Sequence, residues 1–126
     1  MDTKSPTKYD LFKAGCPSRQ VFDRIGERWT FLVLLALQDG KLRFNELRRR
    51  VEGISQKMLT QTLRGLEQDG LVTRSVFPTV PVTVEYSLTP LGTSLCGAVH
   101  VLRNWAYDHI EDMDAARAAY QADHPA

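Results

Sequence analysis

The chain has 126 residues, 43% of them hydrophobic, and a formal net charge of +1, which together predict one domain around one core. Residues 1–15 are polar and contain no apolar segment of signal-peptide length, and the longest apolar stretch, 31–37, is far too short to span a bilayer. We therefore expect no leader peptide and no membrane span, and we expect a cytoplasmic protein.

The charges are unevenly distributed along the chain. Residues 41–57 contain six basic and two acidic side chains, whereas residues 104–126 contain five acidic and one basic side chain. A basic segment of this kind is typical of a surface that faces phosphate. The alternative is that the run of arginines from 48 to 50 is only a solvated helix face.

The first elements are predicted to be scaffold. Val21, Phe22 and Ile25 form the apolar stripe of a first helix. The segment 29–37 is apolar nearly all round, which predicts a buried second helix that Gly40 closes.

Two further helices are predicted close together in the next segment. Phe44, Leu47 and Val51 give a short amphipathic helix, and residues 51–55 connect it to a longer one. In the longer helix, leucines 59, 63 and 66 share one side, while the opposite side is polar. Ser55 is a suitable N-cap and Gly70 a suitable C′ residue. This pattern predicts a helix-turn-helix whose second helix reads DNA.

Two segments rich in β-branched and aromatic residues follow, 71–77 and 82–88, separated by the sequence PTVP. They predict a β-hairpin with a proline-stiffened loop. A helix-turn-helix followed by a hairpin is a winged helix, with its wing along the DNA backbone or over the minor groove.

A last helix is predicted from Thr89 as N-cap and Pro90 at the first helical position. Its apolar surface exceeds what a small winged helix covers alone, which predicts a homodimer. We expect Leu102 and Trp105 to lie at or near the dimer interface. The alternative is that Trp105 packs only within its own chain. The domain is therefore divided into an arm (1–15), a core (16–88) with its wing (71–88), a dimerisation helix (89–113) and an acidic tail (114–126).

Several motifs occur in a specific order: Cys-Pro at 16–17, Gly-x-x-Trp at 26–29, RFNELRR at 43–49, ISQKMLTQ at 54–61 and VEYSLT at 84–89. In these motifs the chain, from Cys16 to about Trp105, resembles the HxlR-type winged-helix regulators, close relatives of the MarR type. The predicted fold class is α+β, mainly α. One departure is that Val82 and Thr83 stand where the family commonly carries a basic residue before VEY. The wing would then bind DNA more weakly, or its DNA contact would fall to Arg74 and Thr79.

The resemblance implies a dimeric, sequence-specific transcriptional regulator on an inverted-repeat operator, and we expect repression rather than activation. Lys57 and Arg64 suit guanine, and Gln56 and Gln61 suit adenine. The expected phosphate contacts are Arg48, Arg49, Ser55, Thr60 and Arg74. Arg43 and Thr79 are further expected DNA-binding residues. The expected dimer contacts are Leu11, Phe12, Leu95, Val99, Leu102 and Trp105. The alternative is a winged helix that contacts only proteins, whose second helix would have an apolar outer face.

Cys16 is the predicted sensor. It precedes Pro17 at the expected start of the first helix, where the helix dipole favours a thiolate, and Lys13 and Arg19 are close in sequence. Some regulators that resemble this chain respond to oxidants or electrophiles through a cysteine at this place. The expected effector is therefore an electrophile or another small molecule. The alternative is that Cys16 is a small buried hydrophobe that fixes the arm. No disulfide with Cys96 is assumed.

No enzyme activity, cofactor or metal is predicted. The chain contains no phosphate-binding glycine loop, HExxH motif or Ser/His/Asp arrangement. Cys96 and His100 stand four residues apart on one helix face, which is only half a zinc site.

Overall fold

The computed structural model describes residues 8–125, and within this range it contains five helices and three strands. The order is α1 (Ser18–Ile25), α2 (Arg28–Leu37), β1 (Leu42–Arg43), α3 (Phe44–Arg50), α4 (Gln56–Gln68), β2 (Val72–Phe77), β3 (Thr83–Leu88) and α5 (Pro90–Asp123). The mainly helical winged-helix fold is thus confirmed. Residues 1–7 of the predicted arm and Ala126 of the predicted tail lie outside the described residues.

The core forms where α2 meets the helix-turn-helix and the middle of α5. Val33, Leu34 and Leu37 of α2 are at most 2% exposed, because this helix is apolar on most of its circumference. Leu47 of α3 and the leucine stripe of α4 close over it. Each such side chain contributes about 1.5–3 kcal/mol through burial.

The sheet is antiparallel, with the strand order β1-β3-β2. The predicted hairpin is confirmed, and its register pairs Val72 with Leu88 and Phe77 with Thr83. The sequence patterns did not predict β1, whose Leu42 pairs with Tyr86. A strand of two residues has no periodicity to detect and depends on β3 for its formation.

The second helix of the motif, α4, begins and ends as its sequence predicts. The Ser55 hydroxyl accepts a hydrogen bond from the Met58 N–H at 3.0 Å. At the other end, Gly70 has φ +74°, its N–H bonds to the Glu67 carbonyl, and the Leu71 N–H bonds to the Leu66 carbonyl. These two bonds form a Schellman motif, which directs the chain into the wing.

The last helix is longer than predicted. We expected it to end near Met113, but α5 continues to Asp123. Residues 114–123 of the predicted acidic tail are therefore helical. The reason is local, since alanines at 115, 116, 118 and 119 are the strongest helix formers and no glycine or proline interrupts them.

Three apolar side chains lie elsewhere than predicted. Val99 is 1% exposed and belongs to the core of its own chain, so its assignment to a dimer contact is wrong. The helical repeat alone does not separate the inward and outward edges of a broad apolar stripe. Conversely, α1 contains no buried residue, and Val21 and Phe22 are more than half exposed. Among residues 8–125, no helix is long and apolar enough to cross a membrane.

Candidate DNA-binding surface

The outer face of α4 is polar and open to solvent. Gln56, Lys57, Gln61 and Arg64 are exposed, and Thr60 is half-buried. Directly opposite, the three stripe leucines are at most 2% exposed, so the helix cannot rotate without unburying them. The fold therefore fixes which side of α4 faces outward.

Three of the predicted contact residues lie around one cleft. It measures about 360 Å³ between α4 and the wing, and Thr60, Arg64 and Arg74 line it together with Glu67 and Tyr86. Arg74 lies directly opposite Tyr86 in the β2–β3 register, which places the arginine beside α4. Within residues 8–125, neither Arg64 nor Arg74 forms an ion pair, so both charges are available to an anion.

The remaining arginines of the predicted surface lie at the two ends of α3. Arg48 and Arg49 are exposed in its last turn. Arg43 precedes the helix, and its backbone N–H donates to the Glu46 carboxylate at 2.8 Å. Its side chain is exposed, and Arg43 is paired in register with Glu85 of β3. The structure thus separates Arg43 from Arg48 and Arg49 along this helix.

The wing loop offers little charge. Arg74 is the only basic residue between 71 and 88. The Thr79 hydroxyl donates to the Pro81 carbonyl at 2.6 Å and lies 3.0 Å from the Thr83 hydroxyl. Thr79 therefore shapes the loop, whose tip carries the fully exposed Val80.

Cys16 lies just before α1, with its sulfur between two donors. The Asp10 backbone N–H donates to Sγ at 3.2 Å, and the Ser18 hydroxyl lies 2.8 Å from it. The pKa of the Cys16 thiol is lowered, chiefly by the Ser18 side chain and further by backbone hydrogen bonds from Ser18 and Asp10. Neither of the cations expected to assist is a cause of this shift, and Arg19 donates instead to the Leu11 carbonyl at 2.7 Å.

The other cysteine is chemically different. Cys96 is 5% exposed, and its thiol donates to the Leu34 carbonyl at 3.5 Å. Burial raises the pKa of this thiol. Both thiols are free, and Cys96 is a core residue.

A stripe of exposed apolar side chains follows one side of α5, and we call it the α5 stripe. At about 100° per residue, its members fall on the same side of the helix. They are Leu91, Leu102, Trp105, Met113 and Tyr120, with exposures between 38% and 63%.

The expected dimer contacts other than Val99 lie on or near the α5 stripe or in the arm. Leu95 is half-buried and packs against the core, while Leu102 and Trp105 are 55% and 51% exposed. Trp105 stacks on His109 of its own helix at 4.4 Å between ring centroids, which leaves half of the indole open. In the arm, Leu11 and Phe12 are 43% and 91% exposed.

A groove of about 720 Å³ between α1, the end of α4 and the start of α5 adjoins this stripe. Val21, Leu91 and Leu95 contribute apolar walls. An ion pair at 2.7 Å between Arg24 and Asp69 crosses from α1 to the end of α4. No local sequence pattern indicates this pair, since its members are 45 residues apart.

The chain was compared with known proteins. The HxlR-like helix-turn-helix family matches residues 24–114. The HTH-type transcriptional regulator YtfH of Escherichia coli (strain K12) is 45% identical over 108 residues, which are 86% of each chain. The chain belongs to the HxlR-like helix-turn-helix family.

Solved structures agree with this assignment. The transcriptional regulator YtfH from Salmonella typhimurium superimposes with a TM-score of 0.82 at 45% identity, covering 88% of this chain and 99% of that one. The redox regulator HypR in its reduced form gives 0.73 at 40% identity, covering 79% and 98%. This HxlR-like protein is thus a helix-turn-helix transcriptional regulator, as the names of these relatives describe them.

Two residues of the candidate DNA-binding surface were not predicted from the sequence. Glu67 and Tyr86 line the cleft between α4 and the wing but were assigned no role. The hairpin register contained the signal for Tyr86, because pairing Val72 with Leu88 places Tyr86 opposite Arg74. Glu67 follows Arg64 by one helical turn, so its position could also have been inferred.

Proposed function

We propose that this regulator is a dimeric, sequence-specific repressor that places the outer face of α4 in the major groove of an inverted-repeat operator. The observation that carries the proposal is the convergence of Thr60, Arg64 and Arg74 on one cleft, with both guanidiniums free of ion pairs to any of residues 8–125. Such a surface suits a polyanion that approaches α4 and the wing together.

Within this surface, α4 would read the bases. Lys57 and Arg64 can donate to guanine O6 and N7, and Gln56 and Gln61 can pair with adenine. Ser55 and Thr60 at the edges of the helix, Arg48 and Arg49 of α3, Arg43 and Arg74 would contact phosphates, which position the protein without specifying sequence. Thr79 would support the wing loop, because its hydroxyl is already bonded there.

Repression is the simplest outcome of this geometry. A dimer that covers two half-sites near a promoter occupies DNA that polymerase requires. The second copy would pack along the α5 stripe and the exposed face of α1, where apolar side chains are between 38% and 63% exposed.

Cys16 would make the repressor responsive to oxidants or electrophiles. Its lowered pKa increases the thiolate fraction, and its position at the start of the exposed α1 connects it to the proposed dimer face. With a quinone, the thiolate sulfur would form a bond to a ring carbon, and uptake of one proton would leave a hydroquinone thioether. The redox regulator HypR, which has the same fold, supports a response of this class.

Base reading is tested by binding measurements on α4 variants. Arg64→Ala and Gln61→Ala should each weaken operator binding by about 1–3 kcal/mol, because each removes a bidentate contact. Both side chains are exposed, so the fold should be unchanged by circular dichroism. Fluorescence anisotropy with labelled operator and with random DNA measures the effect.

The matched control is Arg117→Ala, since Arg117 is exposed near the end of α5 and pairs only with Asp114 among the described residues. It should bind operator as the wild type does. Unchanged operator affinity in both α4 variants would remove this face from the groove. Binding insensitive to salt would instead favour a protein-interaction module.

A further inference from the structure

A third cleft lies on the other side of α5 and has no part in the proposed function. It measures about 330 Å³ between α2, the turn after α3 and α5. Leu32, Leu35 and Ala36 of α2 give it an apolar wall. Two arginines from different elements, Arg50 and Arg103, also line it. A cleft with this combination suits a ligand that has both an apolar part and a negative charge.

The guanidinium of Arg103 is held in place by uncharged partners. Its Nη2 donates to His100 Nδ1 at 2.9 Å and to Asn104 Oδ1 at 3.0 Å, and its Nε lies 3.2 Å from the same oxygen. The Tyr107 ring centroid lies 5.9 Å from its Cζ. Because none of these partners is an anion, the positive charge is oriented but not neutralised.

Arg50 supplies the second charge. It is the last residue of α3, is exposed, and forms no ion pair within residues 8–125. Among the described residues that line the cleft, Glu52 is the one acidic side chain. Two cations against one carboxylate leave the cleft with an excess of one positive charge.

We propose that this cleft binds a small organic monocarboxylate with an aromatic or aliphatic body. Its volume is at the lower end of the range for ligand sites, which suits one ring or a short chain. The carboxylate would lie between Arg50 and Arg103, and the body would pack on Leu32, Leu35 and the Tyr107 ring. Glu52 would repel a second negative charge and thereby disfavour dianions and phosphate esters.

This cleft stays open in the dimer proposed above. Arg103 and Tyr107 lie about 100° and 140° round α5 from Leu102, so they face away from the α5 stripe. A ligand there would connect α5 to the end of the first helix of the helix-turn-helix. Its effect on DNA rests on the proposed function, whereas the binding itself does not.

The test is titration of the full-length, ¹⁵N-labelled protein with benzoate, followed by NMR. We expect saturable shifts of the Arg50, Arg103 and Tyr107 signals. Neutral benzamide and the dianion phthalate should bind about tenfold more weakly or worse, because one lacks the charge and the other meets Glu52. Arg50→Met and Arg103→Met should each cost about tenfold in benzoate affinity.

Arg117→Met is the matched control and should bind benzoate as the wild type does. Arg50 is exposed, so Arg50→Met keeps the test valid even if Arg103→Met disturbs the fold. The proposal is overturned if benzamide binds as well as benzoate, if Arg50→Met leaves the affinity unchanged, or if no shift saturates. Shifts confined to the groove lined by Val21 and Leu91 would equally overturn it. None of these outcomes depends on DNA binding, so failure here is distinguishable from failure of the proposed function.

Discussion

The sulfur of Cys16 depends on a donor two residues along the chain. When the thiol ionises, the Ser18 hydroxyl at 2.8 Å must be the donor, and this bond is the largest cause of the lowered pKa. The sequence placed Cys16 at the start of a helix and indicated Lys13 and Arg19 as the cations that would stabilise its thiolate. Only the conformation of the arm, which brings the Asp10 N–H to the sulfur, shows which groups act.

Removing the Ser18 hydroxyl should therefore make Cys16 less reactive near neutral pH. In Ser18→Ala the pKa of Cys16 should rise towards its ordinary value, and the midpoint of iodoacetamide alkylation against pH should move upward. Mass spectrometry of the Cys16 peptide measures the rate, with Cys96 as the internal control, because burial raises its pKa.

A quinone titration tests the sensor role of Cys16 independently of the reactivity of its thiol. Wild-type protein should lose operator binding as quinone is added, while Cys16→Ser should retain it. If quinone leaves wild-type binding unchanged, or releases both proteins equally, Cys16 is structural.

At the scale of elements, the predictable parts are those encoded by local pattern. The position of α4 was predictable because its leucine stripe, N-cap and C′ glycine agree within 16 residues. The predicted helix ended at residue 113, although the alanines beyond that residue favour a helix that continues to Asp123. Strand β1 and the ion pair of Arg24 with Asp69 depend on distant partners, so no local pattern indicates them.

The junction of α4, the wing and α5 depends on close packing at Gly92. A Cβ at this position would collide with the Leu71 carbonyl oxygen, whereas a Cβ at Gly97 would meet nothing. We expect Gly92→Ala to lower the free energy of unfolding by about 1–3 kcal/mol through overpacking. Gly97→Ala should instead raise it by about 0.5–1 kcal/mol through helix propensity.

Urea unfolding followed by circular dichroism measures both variants. The pair is matched, because both glycines lie in α5 and both substitutions add one methyl group. Equal effects in the two variants would contradict the close contact at Gly92.

Dimerisation depends on how a second copy packs against the α5 stripe. The helical pattern predicted that α5 has more apolar surface than its own chain can cover. In the structure Val99 is buried in the core, whereas Leu102 and Trp105 are about half exposed. Which surface covers the outside residues depends on another chain, and the sequence of one chain contains no direct signal of that contact.

Trp105→Glu should therefore produce a monomer that remains folded. The indole is 51% exposed within its own chain, so a charge there costs little in the monomer but would be buried in the dimer. Tyr107→Glu is the control, since Tyr107 is 73% exposed on the opposite side of α5. Sedimentation velocity at micromolar concentration should show a monomer for the first variant and a dimer for the second and for the wild type. A wild-type monomer, or a Trp105→Glu dimer, would remove the α5 stripe from the interface.

The proposed function requires that two copies of α4 read one two-fold operator. Hydroxyl-radical footprinting of the purified protein on the DNA upstream of its own gene tests it most directly. We predict two protected, inverted half-sites about 34–36 Å apart, or a small multiple of that distance, and loss of both in Arg64→Ala. A single asymmetric protected segment, or protection that persists in Arg64→Ala, would contradict the claim.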